Sequence, residues 1–110
     1  MDKRGKLIAL NDQLRTTFKG GRVQMTPTVY GLEPSLRGRA LCVLARYNKF
    51  DPDSEHDSGV FIFAGYSFEW QIEYRREDGT GVSSDPADDT KTLRILTLYT
   101  TADFLLQPAD

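Results

Sequence analysis

Cysteine is almost missing from this 110-residue chain: Cys42 stands alone, so no intramolecular disulfide can staple the fold. It lies in the apolar run Leu41-Cys42-Val43-Leu44 and reads as a small buried hydrophobe, not as a thiolate in an exposed polar setting. Histidine is equally scarce. One imidazole, His56, and one distant thiol supply too few nitrogen and sulfur donors for a zinc or other transition-metal centre. No Gly-x-Ser-x-Gly elbow is present, which removes one familiar route to an activated nucleophile. Long hydrophobic runs are lacking too, and nothing approaches the ~20 apolar residues that span a bilayer. The start, Met1-Asp2-Lys3-Arg4-Gly5-Lys6, is charged but leads into an amphipathic segment rather than a signal-peptide core, so the expectation is a cytoplasmic protein. Internal repeats, low-complexity stretches and linkers are also missing, which points to one domain over residues 1–110.

What is present suffices for a core. Hydrophobic residues make up 39% and aromatics 11%, above the range of disordered chains. The net charge of −2 conceals an asymmetry: residues 1–49 carry a balance of +7 and residues 50–110 one of −9. Either the charges interleave on folding, or an acidic face results that steers toward a basic partner. The low pI of about 5.4, with no aromatic–basic motif, argues against direct nucleic-acid binding.

Leu7, Leu10, Leu14 and Phe18 recur at three- and four-residue steps and predict a helix from about Lys3 to Phe18, stopped by Gly20-Gly21. The period then falls to two. Arg22–Thr26 reads as a strand ended by Pro27. Gly31, Pro34 and Gly38 mark residues 29–39 as a loop or short extended piece, and Leu41–Phe50 reads as a strand. Val60-Phe61-Ile62-Phe63 is apolar on both faces, as an interior strand would be. Phe68, Trp70, Ile72 and Tyr74 alternate with polar residues and predict a half-buried strand. A polar loop over 75–90, a strand over Leu93–Tyr99 and a short element at Asp103–Leu106 complete the chain. One helix followed by strands, without a βαβ rhythm, predicts an α+β fold: the amino-terminal helix packed on one face of an antiparallel sheet of about five strands.

The densest concentration of chemistry is the turn Asp51-Pro52-Asp53-Ser54-Glu55-His56-Asp57-Ser58-Gly59. Asp51, Asp53 and Glu55 at alternate positions resemble the start of a calcium loop. Its sixth and twelfth positions would then be His56 and Ile62, where glycine and a bidentate glutamate are needed, so the match fails. Binding of magnesium or manganese by Asp51, Asp53 and Asp57 through oxygen alone is the metal chemistry left open. His56 between Glu55 and Asp57 also suggests acid–base work, although no nucleophile accompanies it. A second acidic loop, Asp85-Pro86-Ala87-Asp88-Asp89, repeats the Asp-Pro turn starter. If both loops lie at one end of the sheet, Asp51, Asp53, Glu55, His56, Asp57, Asp85, Asp88 and Asp89 form one partner-binding surface, with Tyr47, Tyr66 or Phe68 as anchors.

Several blocks carry a family resemblance. Leu10-Asn11-Asp12-Gln13-Leu14-Arg15, Gly20-Gly21-Arg22-Val23 with Met25-Thr26, Glu55-His56-Asp57 with Gly59, Trp70-x-Ile72-x-Tyr74, Asp85-Pro86 and Thr92-Leu93-Arg94-Ile95-Leu96-Thr97 occur in order. Together they resemble a family of small uncharacterised proteins of alphaproteobacterial genomes and plasmids, a domain of unknown function. The resemblance implies a mobile-element setting and carries no catalytic assignment. Two expectations result. The first is a non-enzymatic protein, without cofactor or metal, that docks on a protein or nucleoprotein partner with a basic surface, as an anti-CRISPR inhibitor of host defence does. The alternative is a small metal-dependent hydrolase or nucleotide-handling enzyme centred on Asp51–Asp57.

Overall fold

The computed structural model describes residues 2–101. Helix α1 (Lys3–Thr17) begins where the Asp2 carboxylate accepts the Gly5 N–H at 2.7 Å, an N-cap that satisfies one orphan donor of the first turn. It ends at Phe18, which adopts a left-handed conformation (φ 59°) and returns its N–H to the Leu14 carbonyl. Strand β1 (Arg22–Met25) follows, then a single turn α2 (Pro27–Tyr30) and helix α3 (Pro34–Ala45). Strands β2 (Ser58–Phe63), β3 (Tyr66–Arg76) and β4 (Thr92–Thr100) complete the order.

The sheet runs β1-β4-β3-β2, with β2–β3 and β3–β4 antiparallel and β1–β4 parallel. The fold is therefore α+β, with a mixed sheet of four strands. The helices cover one face, where Leu14, Val29, Ala40 and Leu44 meet Phe68, Trp70, Ile72, Leu96 and Leu98. A close approach permits the α1–β1 connection to lie on β4: a Cβ on Gly21 would stand 2.3 Å from the Arg94 carbonyl oxygen.

Four expectations change. Much of the stretch read as loop and strand over 29–50 instead belongs to α2 and α3, with Pro34 in the first turn of α3, where its missing N–H costs nothing. Gly38 is carried on the exposed side of that helix, and Ala40 and Leu44, four apart, face the core. Cys42 consequently lies exposed on α3 instead of buried in a strand. Strand β2 is an edge, not an interior strand, and leaves Val60 and Ile62 in solvent. The α1 stripe is also rotated: Leu7, Asn11, Leu14 and Arg15 are buried, Leu10 is half-buried and Phe18 is exposed. The element read at Asp103–Leu106 lies outside the described residues.

Candidate functional site

The acidic turn is sewn to α1 along its length. Arg4 donates to the carbonyls of Pro52 and Ser54, both at 3.0 Å. The Asn11 amide donates to the Glu55 carbonyl at 3.0 Å, and the Ile72 N–H reaches the Asp57 carbonyl at 2.7 Å. His56 sits at φ 59°, a left-handed conformation that turns the chain between Glu55 and Asp57. Its Nδ1 lies 2.9 Å from the Asp12 carboxylate, which also accepts from Arg15 at 2.8 Å. The imidazole stacks on Phe50 with 3.9 Å between centroids, and the Arg15 guanidinium lies 4.9 Å from the same Phe50 ring.

Asp57 turns inward. Its carboxylate accepts from the Tyr74 hydroxyl at 3.2 Å, and that hydroxyl in turn accepts from Asn11 at 2.8 Å. Burial, aided by the Asp57 carboxylate, holds the Tyr74 phenol above the usual tyrosine range. Arg94 donates to the Asn11 carbonyl oxygen at 3.0 Å and to the Pro86 carbonyl at 2.6 Å, with its guanidinium 5.4 Å from the Tyr74 ring. Burial works against its charge. A hydrogen-bonded path thus runs from Glu55 through Asn11 and Arg94 to Pro86, joining the two acidic loops across the interior.

The second loop is also self-braced. The Asp85 carbonyl accepts from Thr92 at 2.9 Å, and the Asp85 carboxylate stands 3.6 Å from Lys3. Asp88 accepts from the hydroxyl and N–H of Thr90, which hold its carboxyl below the ordinary carboxylate range. Both loops therefore flank the start of α1 at one end of the sheet.

The eight residues expected to share one surface divide into groups. Asp51, Asp53 and Asp89 are exposed; Glu55, Asp85 and Asp88 are half-buried; His56 and Asp57 face inward into the network. Lys3, Arg4 and Lys6 lie between the loops, so the surface is acidic patches separated by a basic ridge. Phe68 is fully buried and cannot anchor a partner. Among the described residues, no three His, Cys, Asp or Glu side chains converge to hold a metal ion.

The blocks quoted for the resemblance now have a structural meaning, since Glu55–Asp57, Tyr74, Pro86 and Arg94 are the parts of one network. The model of a family described as "Protein of unknown function (DUF3768)" matches residues 25–103. The chain belongs to that family. The DUF3768 match takes in β2, β3, β4, α2, α3 and both acidic loops, whereas β1 up to its last residue and Arg4, Asn11 and Arg15 of α1 lie ahead of the matched span. No curated protein and no solved structure matches the chain. No helix among the described residues is long and apolar enough to cross a membrane.

Asn11, Arg15, Tyr74 and Arg94 were not among the expected site residues, although each lies in a block quoted for the resemblance. A signal existed for two of them. Asn11 shares the stripe of Leu7 and Leu14, and Arg94 alternates with Leu96 and Leu98 on the inward side of β4. A polar residue in an apolar pattern is more informative than an apolar one on the surface.

Proposed function

We propose that this DUF3768 protein is a non-enzymatic docking protein, which presents exposed carboxylates from two braced loops to a basic surface on a larger protein or nucleoprotein partner. Inhibitors of host defence of the anti-CRISPR kind are the class such a protein fits. One observation carries the reading. The groups able to do acid–base chemistry, His56, Asp57 and Tyr74, are bonded to other parts of the fold, while Asp51, Asp53 and Asp89 stay in solvent on loops that cannot drift apart. Bracing of that kind limits the ordering cost of association, and exposed charge raises the rate of encounter. The metal-dependent hydrolase reading gains less from this geometry, because among the described residues no three His, Cys, Asp or Glu side chains converge on a metal, and Asp57 turns inward while Asp51 and Asp53 stay in solvent.

The test compares Asp53→Lys with Glu77→Lys, the same change of charge at an exposed carboxylate outside the two loops. Both should melt within about 0.5 kcal/mol of the parent, as surface substitutions do. Capture from the native host, read by mass spectrometry, should lose a partner with Asp53→Lys and keep it with Glu77→Lys. Equal capture by both variants would remove the acidic turn from the function.

A further inference from the structure

Strand β2 forms one edge of the sheet. The phase of its pairing is set by the Ile72 N–H, which donates to the Asp57 carbonyl in register with Ser58↔Gln71, Gly59↔Trp70 and Phe61↔Phe68. Antiparallel strands alternate between hydrogen-bonded and non-hydrogen-bonded pairs, so Asp57, Gly59, Phe61 and Phe63 spend their backbone groups on β3. Ser58, Val60 and Ile62 then aim their N–H and C=O groups outward. The hairpin closes through Ala64 (φ 53°) and Gly65 (φ 82°), a two-residue turn with both centres left-handed, which fixes this register. No described strand lies beyond β2.

Edge strands are usually blunted by a charge, a proline or a bulge. Ser58–Phe63 contains no charged residue and no proline, and Val60 and Ile62 stand 54% and 79% exposed. A groove of about 590 Å³ follows the edge, walled by Val43, Arg46, Tyr47 and Lys49 on the helix side. Neither Arg46 nor Lys49 meets a carboxylate among the described residues. Their two full charges outweigh the roughly half-unit of negative dipole charge at the end of α3. A second copy of this chain would set the same cations against themselves across a two-fold axis. An acidic strand would neutralise them.

We propose that the β2 edge takes up an extended segment of a protein partner as an added strand, with apolar side chains beside Val60 and Ile62 and carboxylates in the groove at Arg46 and Lys49. Side chains of an added strand alternate between the two faces, so the recognised pattern is apolar–acidic–apolar. Main-chain bonds supply affinity, and the alternate positions supply choice. This surface is built from residues other than the carboxylates of the acidic loops, and its failure would leave the reading of those loops standing.

Binding of capped, fluorescently labelled hexapeptides to the full chain, followed by anisotropy, tests the proposal. A peptide alternating valine and glutamate should bind at least about tenfold more tightly than one alternating valine and lysine. Arg46→Glu with Lys49→Glu should invert that preference, and both substitutions are at exposed positions. N-methylation of alternate peptide nitrogens in the valine–glutamate peptide should abolish binding if the contact is a strand ladder. Equal binding of the two peptides, binding of neither, or survival of binding after N-methylation would overturn it. So would a dimer in sedimentation equilibrium that Ile62→Lys dissolves, since the occupant would then be a second copy.

Discussion

Replacing Asn11 by leucine should be among the most damaging single changes in the chain, although the two side chains are close in size. Asn11 is 0% exposed and makes three hydrogen bonds: to the Glu55 carbonyl, to the Tyr74 hydroxyl and from Arg94. Arg94, 1% exposed, donates to two neutral oxygens, those of Asn11 and Pro86. Leucine would leave the Glu55 carbonyl and one face of a buried guanidinium unsatisfied. Each orphaned neutral group costs about 1–3 kcal/mol and a stranded buried charge about 3–5. Because the three bonds share partners they do not add, and an overall loss of about 3–5 kcal/mol is expected. Against a total stability of about 5–15 kcal/mol, that change is large. Urea denaturation of the parent, Asn11→Leu, Arg94→Met and the double variant measures it. The double variant should lose less than the sum of the singles by about 1–3 kcal/mol, since removing both partners leaves nothing charged and unpaired. A loss below about 1 kcal/mol for Asn11→Leu, or strict additivity, would refute the network as the clamp between the loops.

Leu14→Ala should cost about 2–5 kcal/mol, because Leu14 is fully buried in the core cluster, and Leu10→Ala about half as much or less, because Leu10 is half-buried; melting of the pair orders them. Gly59→Ala should destabilise by about 1–3 kcal/mol, since its Cβ would stand 2.6 Å from both Trp70 Nε1 and Tyr47 Cζ, and near-ultraviolet dichroism of the indole should change with it. Tyr74 has a raised folded-state value, so its contribution is present below the unfolded tyrosine value of about 10 and is lost as pH rises beyond it; Tyr74→Phe should flatten that alkaline limb in stability measured against pH. Asp88 has a depressed value, held first by the Thr90 hydroxyl, so Thr90→Val should move its carboxyl titration, followed by NMR, back toward the ordinary range.

The amino-acid sequence by itself determined the elements whose signal is local. The helix at the amino terminus follows from leucine spacing and the Gly20-Gly21 stop, and β3 follows from strict alternation through Phe68, Trp70, Ile72 and Tyr74. It also named the two acidic loops, because Asp-Pro and Gly punctuate a chain wherever they occur. Tertiary structure decided the rest, where the same local pattern serves two environments. Leu41-Cys42-Val43-Leu44 is apolar enough for a strand or a helix, and only packing of Ala40 and Leu44 on the sheet selects α3 and turns Cys42 outward. Val60-Phe61-Ile62-Phe63 suits an interior strand equally well, and strand order alone makes it an edge. Within the acidic turn, sequence neighbours part company: Asp51 and Asp53 remain in solvent, while His56 and Asp57 are drawn in by Asp12 and Tyr74, 44 and 17 residues away. No pattern along the chain encodes that division, because it depends on partners that only folding brings within hydrogen-bonding distance.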